Sequence, residues 1–97
     1  MATYLALLRF TQKGVTEAEF SPERASDFKK SVAKAGGKVH EIYWLLGHYD
    51  GAVIFDAPNE ATASALMLSL AKHGCMHTET LCAFNAKEFV EILKKTK

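Results

Sequence analysis

The chain has no apolar run near the roughly 20 residues that a bilayer-spanning helix needs, so no helical membrane anchor is encoded in it. It also lacks an excess of one charge: twelve Lys and Arg stand against eleven Asp and Glu. A nucleic-acid binder would carry a basic stripe with interleaved aromatics. The only basic run here, Lys94, Lys95 and Lys97, suits the solvated end of a helix, where cations complement the macrodipole. Cysteine is scarce too. If Cys75 and Cys82 share a strand, seven residues at roughly 3.3 Å each hold them about 23 Å apart. A disulfide tolerates about 7 Å between Cα atoms, so no bridge is expected. No basic leader precedes the first strand pattern, Thr3 to Leu8. With reduced thiols, this gives an expectation of a cytoplasmic protein.

What is present is a chain of 97 residues, 48% hydrophobic and 24% charged, the composition of a single folded domain over residues 1–97. Its most informative segment is Trp44 to Phe55, which reads as a strand, a turn carrying Gly47, Tyr49, Asp50 and Gly51, and a returning strand. Asp-Gly between apolar residues is a strong signal for a tight hairpin turn, because such turns need positive φ.

Around that hairpin the pattern gives a first strand from Thr3 to Thr11 and a polar segment from Gln12 to Phe20. Ser21-Pro22-Glu23 predicts a helix start with serine as N-cap. Ala25, Phe28, Val32 and Ala35 form its apolar face, and Gly36-Gly37 ends it. A second strand runs from Lys38 to Leu46 and a third from Ala52 to Ala57. Asn59 caps a second helix, reaching about His73, whose many small residues predict close burial against a sheet. A fourth strand covers Cys75 to Phe84. Asn85 to Glu88 resembles a capping box opening a third helix, with Phe89, Val90 and Leu93 on its inner face. The order βαββαβ plus a terminal helix predicts an α+β, ferredoxin-like fold with helices on one sheet face.

The other face must be protected as well. In the first strand Tyr4, Ala6, Leu8 and Phe10 share one side, and Leu5, Leu7 and Arg9 the other. Leucine on both sides predicts a homodimer that packs sheet against sheet, with room for a cavity between.

Met1 to Leu5, Arg9-Phe10-Thr11, Ser21 to Ala25, Ala35 to Val39, Tyr43-Trp44, Leu46 to Gly51 and Thr78 to Leu81 together resemble the GYD-domain family. Its Gly-x-Tyr-Asp turn is matched by Gly47, Tyr49 and Asp50. The resemblance covers nearly the whole chain. It implies a small bacterial protein of the dimeric α+β-barrel type and brings no agreed catalytic residues. Fold-level relatives include monooxygenases, isomerases, haem-handling enzymes and ligand-sensing domains, which is analogy only.

Several residues are candidates for chemistry. Tyr49 and Asp50 offer a phenol and a carboxylate at a binding lip, although turn chemistry is the preferred explanation, with Asp50 bonding its own backbone and Tyr49 covering a sheet edge. Arg9 and Glu79 sit mid-strand, where an unpaired buried charge costs several kcal/mol. An Arg9–Glu79 ion pair or an exposed sheet edge is therefore expected, with the alternative that Arg9 anchors a carboxylate or phenolate ligand and Glu79 acts as a base. Tyr43 and Trp44 alternate in direction, so only one faces the helices; Trp44 is the candidate ring for a flat ligand. Cys75 and His77 share a strand face with His73 nearby, but two or three donors fall short of a zinc set, and no metal site is assigned.

The expected function is binding of a small organic molecule in a cavity of a dimeric α+β barrel, through Arg9, Trp44, Tyr49, Asp50 and Glu79. No cofactor is identified from these residues. The alternatives are a cofactor-free oxygenase or isomerase in the same cavity, and a structural or regulatory subunit with no ligand.

Overall fold

The computed structural model describes residues 1–97. Strand β1 (Ala2–Phe10) leads through a short helix α1 (Gln12–Thr16) and a 3₁₀ turn (Ala18–Phe20) into helix α2 (Ser21–Lys34). Strands β2 (Lys38–Trp44) and β3 (Gly51–Ala57), helix α3 (Glu60–Ala71), strand β4 (Met76–Ala83) and helix α4 (Ala86–Lys94) follow. The four strands form one antiparallel sheet in the order β2-β3-β1-β4, the ferredoxin-like arrangement.

Alternation along the strands separates the two faces. Tyr4, Ala6, Val53, Phe55 and Ala57 turn toward α2 and α3, where they meet Phe28 and Val32 of α2 and Ala63, Leu66, Met67 and Leu70 of α3. Phe55 is fully buried. It lies 5.5 Å from the Tyr4 ring centroid in a stacked pair and 5.7 Å from that of Phe28 in an edge contact. The spacing i, i+3, i+4, i+7 from Ala63 to Leu70 gives α3 one buried stripe only. Among its other small residues Ala61, Ser64, Ala65 and Ser69 are exposed and Ala71 is half-buried, so the helix is less enclosed than its composition suggests.

Local chemistry explains most boundaries. Gly36 ends α2 at φ +88°, in the left-handed region that only glycine adopts freely. Asn59 caps α3 by accepting from Thr62 N at 2.8 Å. The polar segment after β1 is ordered rather than looped: Thr11 caps α1, accepting from Gly14 N, and its hydroxyl donates to the Gly74 carbonyl at 2.7 Å. A Cβ on Gly14 would run into the Cys75 carbonyl, so glycine there permits a close backbone approach. Ser21 is not the N-cap of α2. Phe20 holds that position without a side-chain bond, and the Ser21 hydroxyl is used elsewhere.

Two further expectations change. The β2–β3 connection is a six-residue loop, 45–50, rather than the tight turn expected over 47–51, and among Gly47, Asp50 and Gly51 only Gly47 has positive φ. Helix α4 has no inner face in this chain: Phe89, Val90 and Leu93 are each about half exposed, and α4 contributes no residue to the core.

Candidate functional site

The five candidate residues fall into two groups on opposite sides of the sheet. On the face without helices, Leu7 of β1 pairs with Glu79 of β4, and Arg9 with His77. The Tyr49 hydroxyl reaches over β1 from the β2–β3 loop and donates to Glu79 Oε1 at 3.0 Å. Glu79 therefore takes a phenol, not Arg9, and the expected Arg9–Glu79 ion pair is absent. Hydrogen bonding to the Glu79 carboxylate, followed by desolvation and the carboxylate's charge, raises the Tyr49 pKa above its ordinary value, while the Arg9 charge opposes this. Such a phenol donates a hydrogen bond at neutral pH; it is no base.

Farther along this face the β2 pairing slips between Val39 and Glu41, a one-residue irregularity beside His40. His40 Nε2 lies 2.9 Å from Asp56 Oδ2, and the Thr3 hydroxyl donates to Asp56 Oδ1 at 2.6 Å. The Thr3 bond, then the His40 bond and charge, holds the Asp56 carboxyl below the usual range despite its partial burial. Leu5, Leu7, Tyr43, Ile54 and Leu81 lie between these polar ends, half-buried or exposed, with no layer over them.

On the helix side, Trp44 and Asp50 line a cleft against α2 together with Leu8, Phe10, Arg24 and Phe28. The Trp44 Nε1–H donates to Ser21 Oγ at 2.9 Å, closing the mouth. Tyr43, in contrast, pairs with Ala52 on the open face, so the two aromatic residues do alternate. Asp50 does not bond its own backbone. Its carboxylate accepts from Phe10 N at 2.8 Å, its N–H donates to the Leu8 carbonyl at 2.8 Å, and its carbonyl accepts from Leu45 N at 2.8 Å. Asp50 thus ties the loop to β1 and closes the loop on itself at Leu45. The cleft holds about 40 Å³, room for about a water or two and far below the ~300 Å³ of an ordinary ligand pocket.

Arg24, on the cleft wall, is paired with Glu17 at 2.6 Å. That bond is the largest influence lowering the Glu17 pKa and raising that of Arg24. Cys75 is buried beside them, its thiol 3.6 Å from the His73 carbonyl, and it precedes β4 rather than lying within it. No three of the chain's His, Cys, Asp and Glu side chains are grouped to hold a metal ion, and both cysteines are free thiols. Sequence reasoning missed the Thr3–Asp56–His40 cluster. Its signal was faint, since the irregularity at His40 breaks the simple alternation that would have placed these residues together.

The family model for the GYD domain matches residues 4–93. The chain belongs to the GYD domain family. A Thermus thermophilus protein named glutamine synthetase and cystathionine beta-lyase binding protein is 30% identical over 95 residues, which cover 97% of this chain and 100% of that protein. The crystal structure of TTHA0845, also from Thermus thermophilus, superposes with a TM-score of 0.55 at 24% identity, covering 89% of this GYD protein and 96% of that chain. That likeness supports the fold. No helix of this family member is long and apolar enough to cross a membrane.

Proposed function

We propose that this GYD-family protein is a homodimeric, cytoplasmic binding protein that acts by associating with other proteins, metabolic enzymes among them. The observation that carries this reading is the uncovered apolar surface of the sheet: Leu5, Leu7, Tyr43, Ile54 and Leu81 lie on a face without a second layer. Contiguous apolar surface of this kind marks interaction sites. A second copy stacked on the open face would cover it and would leave Leu45 and the fully exposed Leu46 on the loop for a partner protein. The Thermus relative, named for binding two enzymes, supports the same reading. The test combines light scattering with calorimetric titration against glutamine synthetase and cystathionine beta-lyase from the same organism. A dimer that binds either enzyme, weakened by Leu46→Asp with the dimer intact, is the expected result. A monomer that binds neither at tens of micromolar would overturn it.

The second reading, a small organic ligand, rests on the α2 cleft. Its polar groups Ser21, Arg24 and Asp50 converge on an apolar lining, and the Trp44–Ser21 bond is the only side-chain hydrogen bond holding the indole over the mouth. A flat ligand would have to displace that ring. An oxygenase or isomerase gains less support, because Glu79 and Tyr49 lie across the sheet from the cleft. Arg9, Tyr49 and Glu79 would face a ligand only in a space closed by a second copy.

A further inference from the structure

We propose that the groove between α3 and β4 receives helix α4 of a second copy of this chain. The inference rests on the homodimer proposed above and names the element that would clamp it.

The groove is floored by Tyr4 and walled by Ala63, Ser64 and Met67 of α3 and by Thr80 and Cys82 of β4, with a volume of about 340 Å³. Thr80 and Cys82 lie on the helix side of β4, yet both are exposed, so no helix of this chain covers that stretch of the edge strand. Tyr4 is 5% exposed, and its hydroxyl is buried without any hydrogen-bond partner. The buried Tyr4 ring floors a groove that no element of this chain covers, and apolar side chains from a further layer would extend the core over it. Small side chains on both walls leave space for large ones from outside.

Helix α4 carries those large side chains. Ala86, Phe89, Val90 and Leu93 follow the i, i+3, i+4, i+7 spacing of one face, and Phe89, Val90 and Leu93 are about half exposed. Isolated nine-residue helices are marginal in water, although a complete Asn85–Glu88 capping box starts this one. Among its charges, Glu88 is engaged by the cap and Glu91 by Lys94. Lys87, on the flank of the apolar face, is left free to meet Glu60 at the groove's rim.

The chain's own shape argues for a second copy as the source of the helix. The connector is only Phe84-Asn85, and no residue of α4 is buried or joins the core of its own chain. The radius of gyration is 14.5 Å, against about 12.5 Å for a compact chain of this length, and the longest dimension is 51 Å. Interface size agrees. The open sheet offers one face of four short strands, where a stable interface uses about 20 to 30 residues a side. Two exchanged helices in two grooves supply the remainder and close the pair about a two-fold axis. They also cover the β4 edge, which otherwise invites further strand pairing.

The test uses the native Cys82 in the groove. Phe89→Cys and Leu93→Cys are made separately, since a disulfide needs Cα atoms within about 7 Å and either position can miss it. Both positions lie outside the core, so neither change threatens folding. Each protein is treated with a mild thiol oxidant and read by non-reducing electrophoresis and intact mass, alongside light scattering. The expected result is an interchain disulfide in most chains of at least one variant, lost when Cys82→Ser is added and absent from the unsubstituted chain. An intrachain disulfide would show that the helix seats on its own groove and overturn the proposal. No disulfide in either variant of a chain that remains a dimer would overturn the groove assignment alone. A monomer with no disulfide would overturn both the assignment and the dimer.

Discussion

The Tyr49 hydroxyl donates to Glu79 at 3.0 Å, joining the β2–β3 loop to edge strand β4 across the whole width of β1. The bond holds the phenol proton, so the Tyr49 pKa is raised above its ordinary value. A raised folded-state pKa contributes stability that is fully present below the unfolded value, about 10, and is lost as pH rises through the folded pKa. Following phenolate absorbance should show two tyrosines ionising late, Tyr49 and Tyr4, the latter raised chiefly by burial, and Glu79→Gln should bring only the Tyr49 transition down toward the ordinary value. An unmoved transition in Glu79→Gln would exclude the bond in solution.

Asp56 carries the opposite sign. Its carboxyl is held low, first by the Thr3 hydroxyl and then by His40. That contribution is present above the unfolded carboxyl pKa, about 3.9, and disappears as pH falls through the lower folded value. Thr3→Val should raise the Asp56 pKa and lower stability at pH 7, where the contribution is fully present, with the difference between the two proteins shrinking as pH falls through the folded value. Carboxyl-carbon NMR titration of both proteins measures the shift directly.

Phe55 is fully buried between Tyr4 and Phe28. Phe55→Ala should destabilise the fold by about 3–5 kcal/mol, combining lost burial with a cavity that the surrounding strands cannot close. Urea denaturation gives the value, with an unchanged slope indicating that the unfolding reaction is the same.

Asp50→Ala removes the acceptor of the Phe10 N–H and leaves that half-buried donor unpaired. The expected cost is roughly 1–3 kcal/mol. Amide exchange should quicken at Phe10 more than in the middle of β1, a local signature that separates this loss from general weakening.

Asn85→Ala breaks the capping box of α4. A cap of this kind contributes about 1 kcal/mol to its helix. In monomeric protein, exchange protection across Ala86 to Lys94 should fall while the core amides keep theirs, because no core residue comes from α4.

The element order, the two sheet faces and the caps at Asn59 and Asn85 are legible in the sequence, because each is written in local spacing or local chemistry. The apolar helix face at Phe28 and Val32 is visible for the same reason. Ser21 misleads because a serine before proline is a good N-cap in isolation, and nothing local reveals that the Trp44 indole competes for its hydroxyl. Asp50-Gly51 misleads in a similar way: the pair reads as a tight turn, but its carboxylate bonds a strand 40 positions earlier. The amphipathic pattern of α4 is plain in the sequence, yet periodicity states only that a helix has an apolar face, not whose surface it meets. The candidate residues are recognisable singly. Their division between two faces depends on the loop carrying Tyr49 over β1, a long-range feature no window of sequence contains.

Asp50 has a further consequence for the route by which the chain folds. A hairpin closed by a local turn can form within microseconds, before any other strand arrives. This loop draws its hydrogen bonds from Leu8 and Phe10, so its conformation is settled only once β1 has docked between β3 and β4. The loop is then a late event on the folding path. Changes at Asp50 should speed unfolding more than they slow folding, and the loop that gives the family its name would be the seal on an assembled sheet rather than its nucleus.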